Sequence, residues 1–302
     1  MFIVRNRIVF YIFSSILVVL SVIAISVWGL KAGIDLKGGS LIEVEYASVR
    51  PSMDSLKTNL DSLDLGVYSI RPTGDVGYII RTEDLSQVKH NEVISALKTE
   101  TSSAPEEKRF NSVGPTLGKE ALQKSLISIF MVLLAIVLFI TFAFRKVSKP
   151  VSSWKYGLMA IVALGHDIII TIGAFAAFGY FAGFEIDTLF VTALLVILGF
   201  SIHDTIVVFD RIRENLTING SGNKKTFETI VGESVSQTIV RSVNTSMTTL
   251  IAIAVLYMVG PVTTQHFSLA LFIGIAAGTY SSIFLCAPLL VTLQGFSERK
   301  NK

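Results

Sequence analysis

The stretch Leu194–Asn215, LLVILGFSIHDTIVVFDRIREN, decides how the rest of the chain is read. Most of it is apolar enough for a membrane helix, yet Asp204 sits inside the run beside His203. An aspartate at the middle of a bilayer costs roughly 2.5–3.5 kcal/mol on insertion-derived scales. Counting on to Asp210 and Arg211, Asp204 lies about 9 Å inside them at a helical rise of 1.5 Å per residue. Either its carboxylate snorkels to water at the helix end, or it has intramembrane work to do.

The composition around that stretch is a membrane protein's. Of 302 residues, 51% are hydrophobic and 16% charged, against about a quarter charged in soluble domains. The net charge of +3 gives no argument for nucleic acid, and a single cysteine, Cys286, excludes an internal disulfide or a thiolate metal cluster. Apolar runs long enough to span lie at 8–30, 125–144, 157–182, 188–209 and 267–293. A sixth, near 247–262, is short unless it takes in the preceding RSVNTS. The first run has Arg5 and Arg7 before it, as a signal peptide would. It is too long for one, and SVWGLKAGID has no small-residue cleavage site, so it reads as an uncleaved anchor.

Lysine and arginine set the orientation. With the N-terminus in the cytoplasm, the inside segments carry Arg5, Arg7, Arg145, Lys146, Lys149, Lys155, Arg211, Arg213, Lys224, Lys225, Arg241, Arg299, Lys300 and Lys302. The short outside loops near 183–187 and 261–266 carry none. Trp28 falls at the outer edge, and Trp154 with Tyr156 at the inner edge, where aromatic belts sit. The chain therefore divides into 1–30 (cytoplasmic N-terminus and first span), 31–124 (an outside domain) and 125–302 (five further spans and a cytoplasmic C-terminus).

The outside segment reads as an α+β domain with helices on one sheet face. SLIEVEYA alternates like a strand, and Met53, Leu56, Leu60 and Leu63 recur at helical spacing. GVYSIRPTGDVGYIIRT turns at Gly74 and Asp75, LSQVKHNEVISALKTE is a second amphipathic helix, and EKRFNSVGP a last strand. It holds no nucleophile–base pair, no phosphate loop and no metal-ligand spacing, and His90 reads as a surface histidine. The domain is a binding or lever element, not an enzyme. GIDLKGGS, with Gly33, Asp35, Gly38 and Gly39, leads into it, and SVGPTLGKE, with Gly114, Pro115 and Gly118, leads out. These glycines serve either turn chemistry or a pair of hinges.

Inside the spans, Arg241, Asn244, Thr245 and Thr248 make a polar stripe at helical spacing, which offers Arg241 as counter-charge to Asp204. Burial opposes the aspartate's charge and the arginine favours it, a balance that suits a group taking and releasing a proton. His166 and Asp167 lie near the middle of span three, with Thr171 one turn on. They form either a satisfied structural pair or, with His203 and Asp204, a relay. Neighbouring residues on one helix diverge by about 100°, which disfavours a metal site. Gly199, Gly274 and Gly278 read as helix-packing positions.

Taken in order, GIDLKGGS, VGPTLG, ALGHDIIIT, GFSIHDTIVVFDRIREN and RSVNTSMTTL resemble the SecF branch of the SecD/SecF family of the bacterial protein translocase. That family belongs to the resistance–nodulation–division transporters. The resemblance implies an α-helical polytopic membrane protein with six transmembrane helices and one ferredoxin-like periplasmic domain between helices one and two. It implies an inner-membrane protein that works with a SecD-like subunit beside the SecYEG channel, with YajC as a further partner. The pair would use the proton-motive force to assist late export of unfolded polypeptide, with no cofactor, no metal and no nucleic acid. His203 departs from the family, which more often has asparagine there; histidine titrates near neutral pH, so the proton path is elaborated here or the position is permissive. A self-sufficient proton-coupled exporter of lipids or small amphiphiles is the alternative, and a structural scaffold the third reading. Six spans are half of the usual exporter set, and a scaffold leaves Asp204 and Arg241 without a purpose.

Overall fold

A computed structural model describes residues 2–47, 49–98, 105–145, 152–219 and 225–300. Of the basic residues used for orientation, Lys146, Lys149, Lys224 and Lys302 lie outside the described residues. The described chain forms two compact units, one of residues 1–31 with 127–302 and one of residues 32–126.

The helical unit begins with a short turn, α1 (Phe2–Arg5), and the first long helix, α2 (Arg7–Trp28). The smaller unit then follows as α3 (Ile34–Lys37), β1 (Gly39–Glu45), α4 (Met53–Asp61), β2 (Ser69–Thr73), β3 (Gly77–Thr82), α5 (Gln87–Ala96) and β4 (Glu106–Val113). Its strands form one antiparallel sheet in the order β2-β3-β1-β4. Alternation along β1 and β3 turns Ile42, Val44, Tyr78 and Ile80 to one face, where Leu56 and Leu60 of α4 and Val93 of α5 complete a core. Ser52 caps α4 and Ser86 caps α5, each accepting from the backbone N–H three residues on. Gly74, at φ 53°, makes the hairpin turn. His90 departs from the surface position expected of it. It is 7% exposed, lies 4.0 Å from the Phe110 ring and bonds Glu107 at 2.9 Å, because α5 faces it onto the sheet.

The two glycine motifs meet inside this unit. A Cβ on Gly118 would lie 2.5 Å from the Gly38 nitrogen, and one on Gly38, at φ +88°, would lie 2.6 Å from Pro115 Cα. Gly39, at φ +135°, approaches the Thr82 carbonyl just as closely. Gly33 caps α3 in extended backbone with Asp35 in the first turn, and Gly114 is open, with its nearest neighbour an Asp84 oxygen 4.0 Å away.

The remaining helices are α6 (Pro115–Ala143), α7 (Ser153–Phe181), α8 (Thr188–Asn219), α9 (Phe227–Val259), α10 (Val262–Tyr280), a π-helical segment Ser281–Cys286, and α11 (Ala287–Lys300). With α2, these supply six helices long and apolar enough to cross a membrane. Span five is the one the hydropathy pattern misplaces: α9 begins at Phe227 and RSVNTS lies in its middle. Earlier on the helix Ser234, Ser236 and Thr238 hydrogen-bond back to their own backbone, as Ser234 does to the Ile230 carbonyl at 2.7 Å, while Ser246 of RSVNTS donates to Asp204, so these hydroxyls interrupt the apolar run without breaking the helix.

Candidate functional site

The long helices α7 and α8, with the last span, bury polar side chains among aliphatic ones. Glycines make the approach close enough. A Cβ on Gly274 would come within 2.2 Å of the Ile197 side chain, one on Gly278 within 2.9 Å of Ser201, and one on Gly173 within 2.3 Å of Ser21 on α2. Gly199, expected to do the same, has nothing within 4 Å of such a Cβ, because it faces away from these contacts. Gly173 was not singled out from the sequence, though its small neighbour Ser21 on α2 is the matching signal.

Asp167 is fully buried and Asp204 is 2% exposed. On α7, Asp167 Oδ2 accepts from Ser201 Oγ of α8 at 2.6 Å and from Ser281 Oγ of the π segment at 2.9 Å. Its Oδ1 meets Nδ1 of the adjacent His166 at 2.9 Å. The 100° divergence between neighbours does not keep this pair apart, since the imidazole needs only to fold back along its own helix. On α8, Asp204 Oδ2 accepts from Ser246 Oγ of α9 at 3.1 Å, and Ser246 accepts from Thr279 of α10 at 2.6 Å. Thr205 and Ser282 share a further bond of 2.8 Å. Ser201 and Asp204 are three residues apart on one helix, so the two carboxylate sites are offset by about 4.5 Å of helical rise.

The structure thus brings His166 to Asp167 and places Asp204 one turn of α8 away. It does not bring Arg241 in, while His203, at the surface of α8, lies within electrostatic reach of Asp204. Arg241, Asn244, Thr245 and Thr248 are all exposed on the outer face of α9, and His203 is exposed on α8. The face that turns inward on α9 is the row Ser234, Thr238, Ser242 and Ser246, spaced by four and buried throughout. A stripe led by an arginine drew the reading because charge is the louder signal. Hydroxyls cost far less to bury than a guanidinium, so the weakly polar row takes the interior. Ser201, Ser246, Thr279 and Ser281 were missed for the same reason; only Ser201, one turn before Asp204, had a neighbouring acid to mark it.

The protein family described as protein export membrane protein SecD/SecF, C-terminal, matches residues 93–295. A protein translocase subunit SecF of Thermobaculum terrenum is 42% identical over 96% of this chain and 93% of its own length. One from Anaerolinea thermophila is 36% identical over 96% of this chain and 92% of its own. The crystal structure of SecDF, a translocon-associated membrane protein from Thermus thermophilus, superposes with a TM-score of 0.82 at 28% identity. It matches 97% of this chain, which spans 38% of that longer one. With its six membrane helices, its small antiparallel sheet and these relatives, the chain belongs to the SecD/SecF family of protein-export membrane proteins.

Proposed function

We propose that this chain is the accessory subunit of a protein translocase that, with a SecD-like partner, uses the proton-motive force to assist late export of unfolded polypeptide through a SecYEG-type channel. The observation that carries the reading is the pair of buried carboxylates held by hydroxyls and one imidazole. A carboxyl so placed changes its charge as a proton comes and goes, and each change alters which hydroxyls it holds. A proton crossing 100 mV releases about 2.3 kcal/mol, enough to shift a two-state element nearly fiftyfold.

The exposed face of α9 supports the partner. Arg241 and Asn244 occupy the exposed face of a helix apolar and long enough to cross a membrane, without cover from the described residues, where lipid alone would leave their polar groups unsatisfied. The SecDF similarity supports a SecD-like subunit as the cover, and the reading adds YajC as a further partner. The smaller unit, connected βαββαβ, fits a ferredoxin-like domain. In this reading it lies in the periplasm, both termini lie in the cytoplasm, and the spans cross the inner membrane. Asp204, with Asp167, His166 and His203 as relay members, moves the proton, and Arg241 acts toward the partner. The interlocked motifs around Gly38 and Gly118 carry the motion to the domain. Asp204→Asn keeps size and polarity but cannot titrate. It is expected to insert and assemble normally in inverted membrane vesicles and to lose the proton-dependent stage of export. Normal proton-dependent export at normal expression would reject the mechanism.

A further inference from the structure

Ser281–Cys286 is a π-helical segment set between two α-helices. Such segments are rare and gather at functional sites. Here named side chains hold it. Ser281 Oγ donates to Asp167 Oδ2 at 2.9 Å, and Ser282 Oγ donates to the Ser201 carbonyl at 3.2 Å. Neighbours on an α-helix point about 100° apart, and the wider π turn narrows that divergence, so consecutive serines serve α7 and α8 together.

His166 supplies a second observation. It is 5% exposed, its Nδ1 meets Asp167 Oδ1, and its Nε2 has no hydrogen-bond partner among the described residues. An imidazole in that setting takes a proton at Nε2 while its Nδ1 proton passes to Oδ1. The products are a neutral ring in the other tautomer and a neutral carboxylic acid. As a carboxylate, Asp167 accepts from Ser201 and Ser281 on one oxygen. As an acid it holds both more weakly, since charge-assisted bonds are about twice as strong as neutral ones.

We propose that Asp167 and His166 form a latch on the π segment of span six. Protonation of Asp167 through His166 loosens Ser281, and the extra residue of the π turn passes along the helix, turning each residue it passes by about 100°. The other titratable groups that face this site are few. Tyr280 of α10 stacks on His166 at 6.2 Å and takes a bond from Ser14 of α2. Cys286 lies within electrostatic reach of Asp167. Asp204 is one turn along α8 and bonds Ser246, and α9 turns Arg241 outward. The latch rests on the proton-coupled reading but is separable from Asp204.

Cys286 ends the π segment, is fully buried and is the chain's single cysteine, so the native protein carries its own probe. Its alkylation by N-ethylmaleimide is measured on the full chain in native membranes, each rate normalised to the detergent-denatured chain at the same pH. Asp167→Asn and Ser281→Ala are expected to raise the rate about tenfold, equivalent to 1.4 kcal/mol. The unaltered protein gains a comparable rise on acidification, and His166→Gln blunts that rise. Asp204→Asn leaves the rate where it was. The latch is overturned if Asp167→Asn and Ser281→Ala leave Cys286 fully protected, or if Asp204→Asn exposes it equally. An undiminished acid response in His166→Gln overturns delivery through Nε2. Should Asp204→Asn export normally while Cys286 still follows Asp167, the latch stands and only the Asp204 role falls. Ser281→Ala retains the carboxylate, so it decides the matter even if Asp167→Asn fails to fold.

Discussion

Asp204 and Arg241 are separated by the way one helix turns, and their substitutions should separate too. Ser246 is the hydroxyl that holds Asp204, so Ser246→Ala strips a buried acceptor of its donor. A loss of about 1–3 kcal/mol is expected, read as a lower melting temperature of the detergent-solubilised chain. Arg241→Met touches nothing buried here and should leave that melting temperature nearly unchanged, within about 0.5 kcal/mol. Its effect should appear as weaker recovery of the SecD-like subunit on the tagged chain. Equal recovery would remove Arg241 from the partner interface. In the smaller unit, Tyr46 donates to the Leu97 carbonyl at 2.9 Å, and burial, with Tyr78 nearby, pushes its phenol up to about 12. The sign follows from which form the fold prefers. The neutral phenol stabilises the unit fully below its ordinary value near 10, and that contribution fades as pH rises through about 12. Alkaline unfolding should therefore steepen over that window and flatten in Tyr46→Phe, as followed by phenolate absorbance.

Close approach at a glycine is a property of pairs of elements, and it is testable as such. Gly274→Val drives methyls into Ile197 and Gly118→Ala drives one into backbone at Gly38, whereas Gly199→Ala meets nothing. The first two should destabilise by about 1–3 kcal/mol or more, and the third should be neutral or stabilise by up to about 1 kcal/mol. A melting series that ranked Gly199→Ala worst would contradict the packing. The same elements show why some of this molecule was legible and some was not. Strand alternation in SLIEVEYA and the helical spacing of Leu56 and Leu60 are signals of one element's own period, and they survive into β1 and α4. Which side of α9 faces inward depends on what the neighbours offer, and no periodicity encodes that. Hydropathy counted Arg241 and Ser242 alike as interruptions, while the bundle admits the serine and turns the arginine out. His90 was misread on the same ground, since its burial depends on Phe110 and Glu107 arriving from β4. The π segment was not read from the sequence, although Pro288 just beyond it lacks the N–H that an α-helix would bond to the Phe284 carbonyl; the contacts of Ser281 and Ser282 with two other helices are a second influence that no periodicity encodes.

For the molecule as a whole, orientation and partnership are the open measurements. Reporter fusions at Ser102 and Asn223, both outside the described residues, should read outside and inside respectively; a cytoplasmic signal at Ser102 would overturn the six-span topology. Purified from membranes, the chain should bring a SecD-like subunit with it in a stable complex, and a monodisperse chain restoring export alone would argue against that partner. The meeting of Gly38 with Gly118, and the pairing of Gly39 with Val113 at the neighbouring ends of β1 and β4, has a consequence for inheritance as well as for motion. The polypeptide enters and leaves the smaller unit through one gate, so in terms of connectivity that unit is an insert in an otherwise continuous helical protein. Inserts of this kind are exchangeable parts. Residues 32–126 should fold when expressed alone, and chimeras that splice a relative's unit in at Lys31 and Ile127 should keep both parts intact, so the unit can diverge in sequence while the helical base stays unchanged.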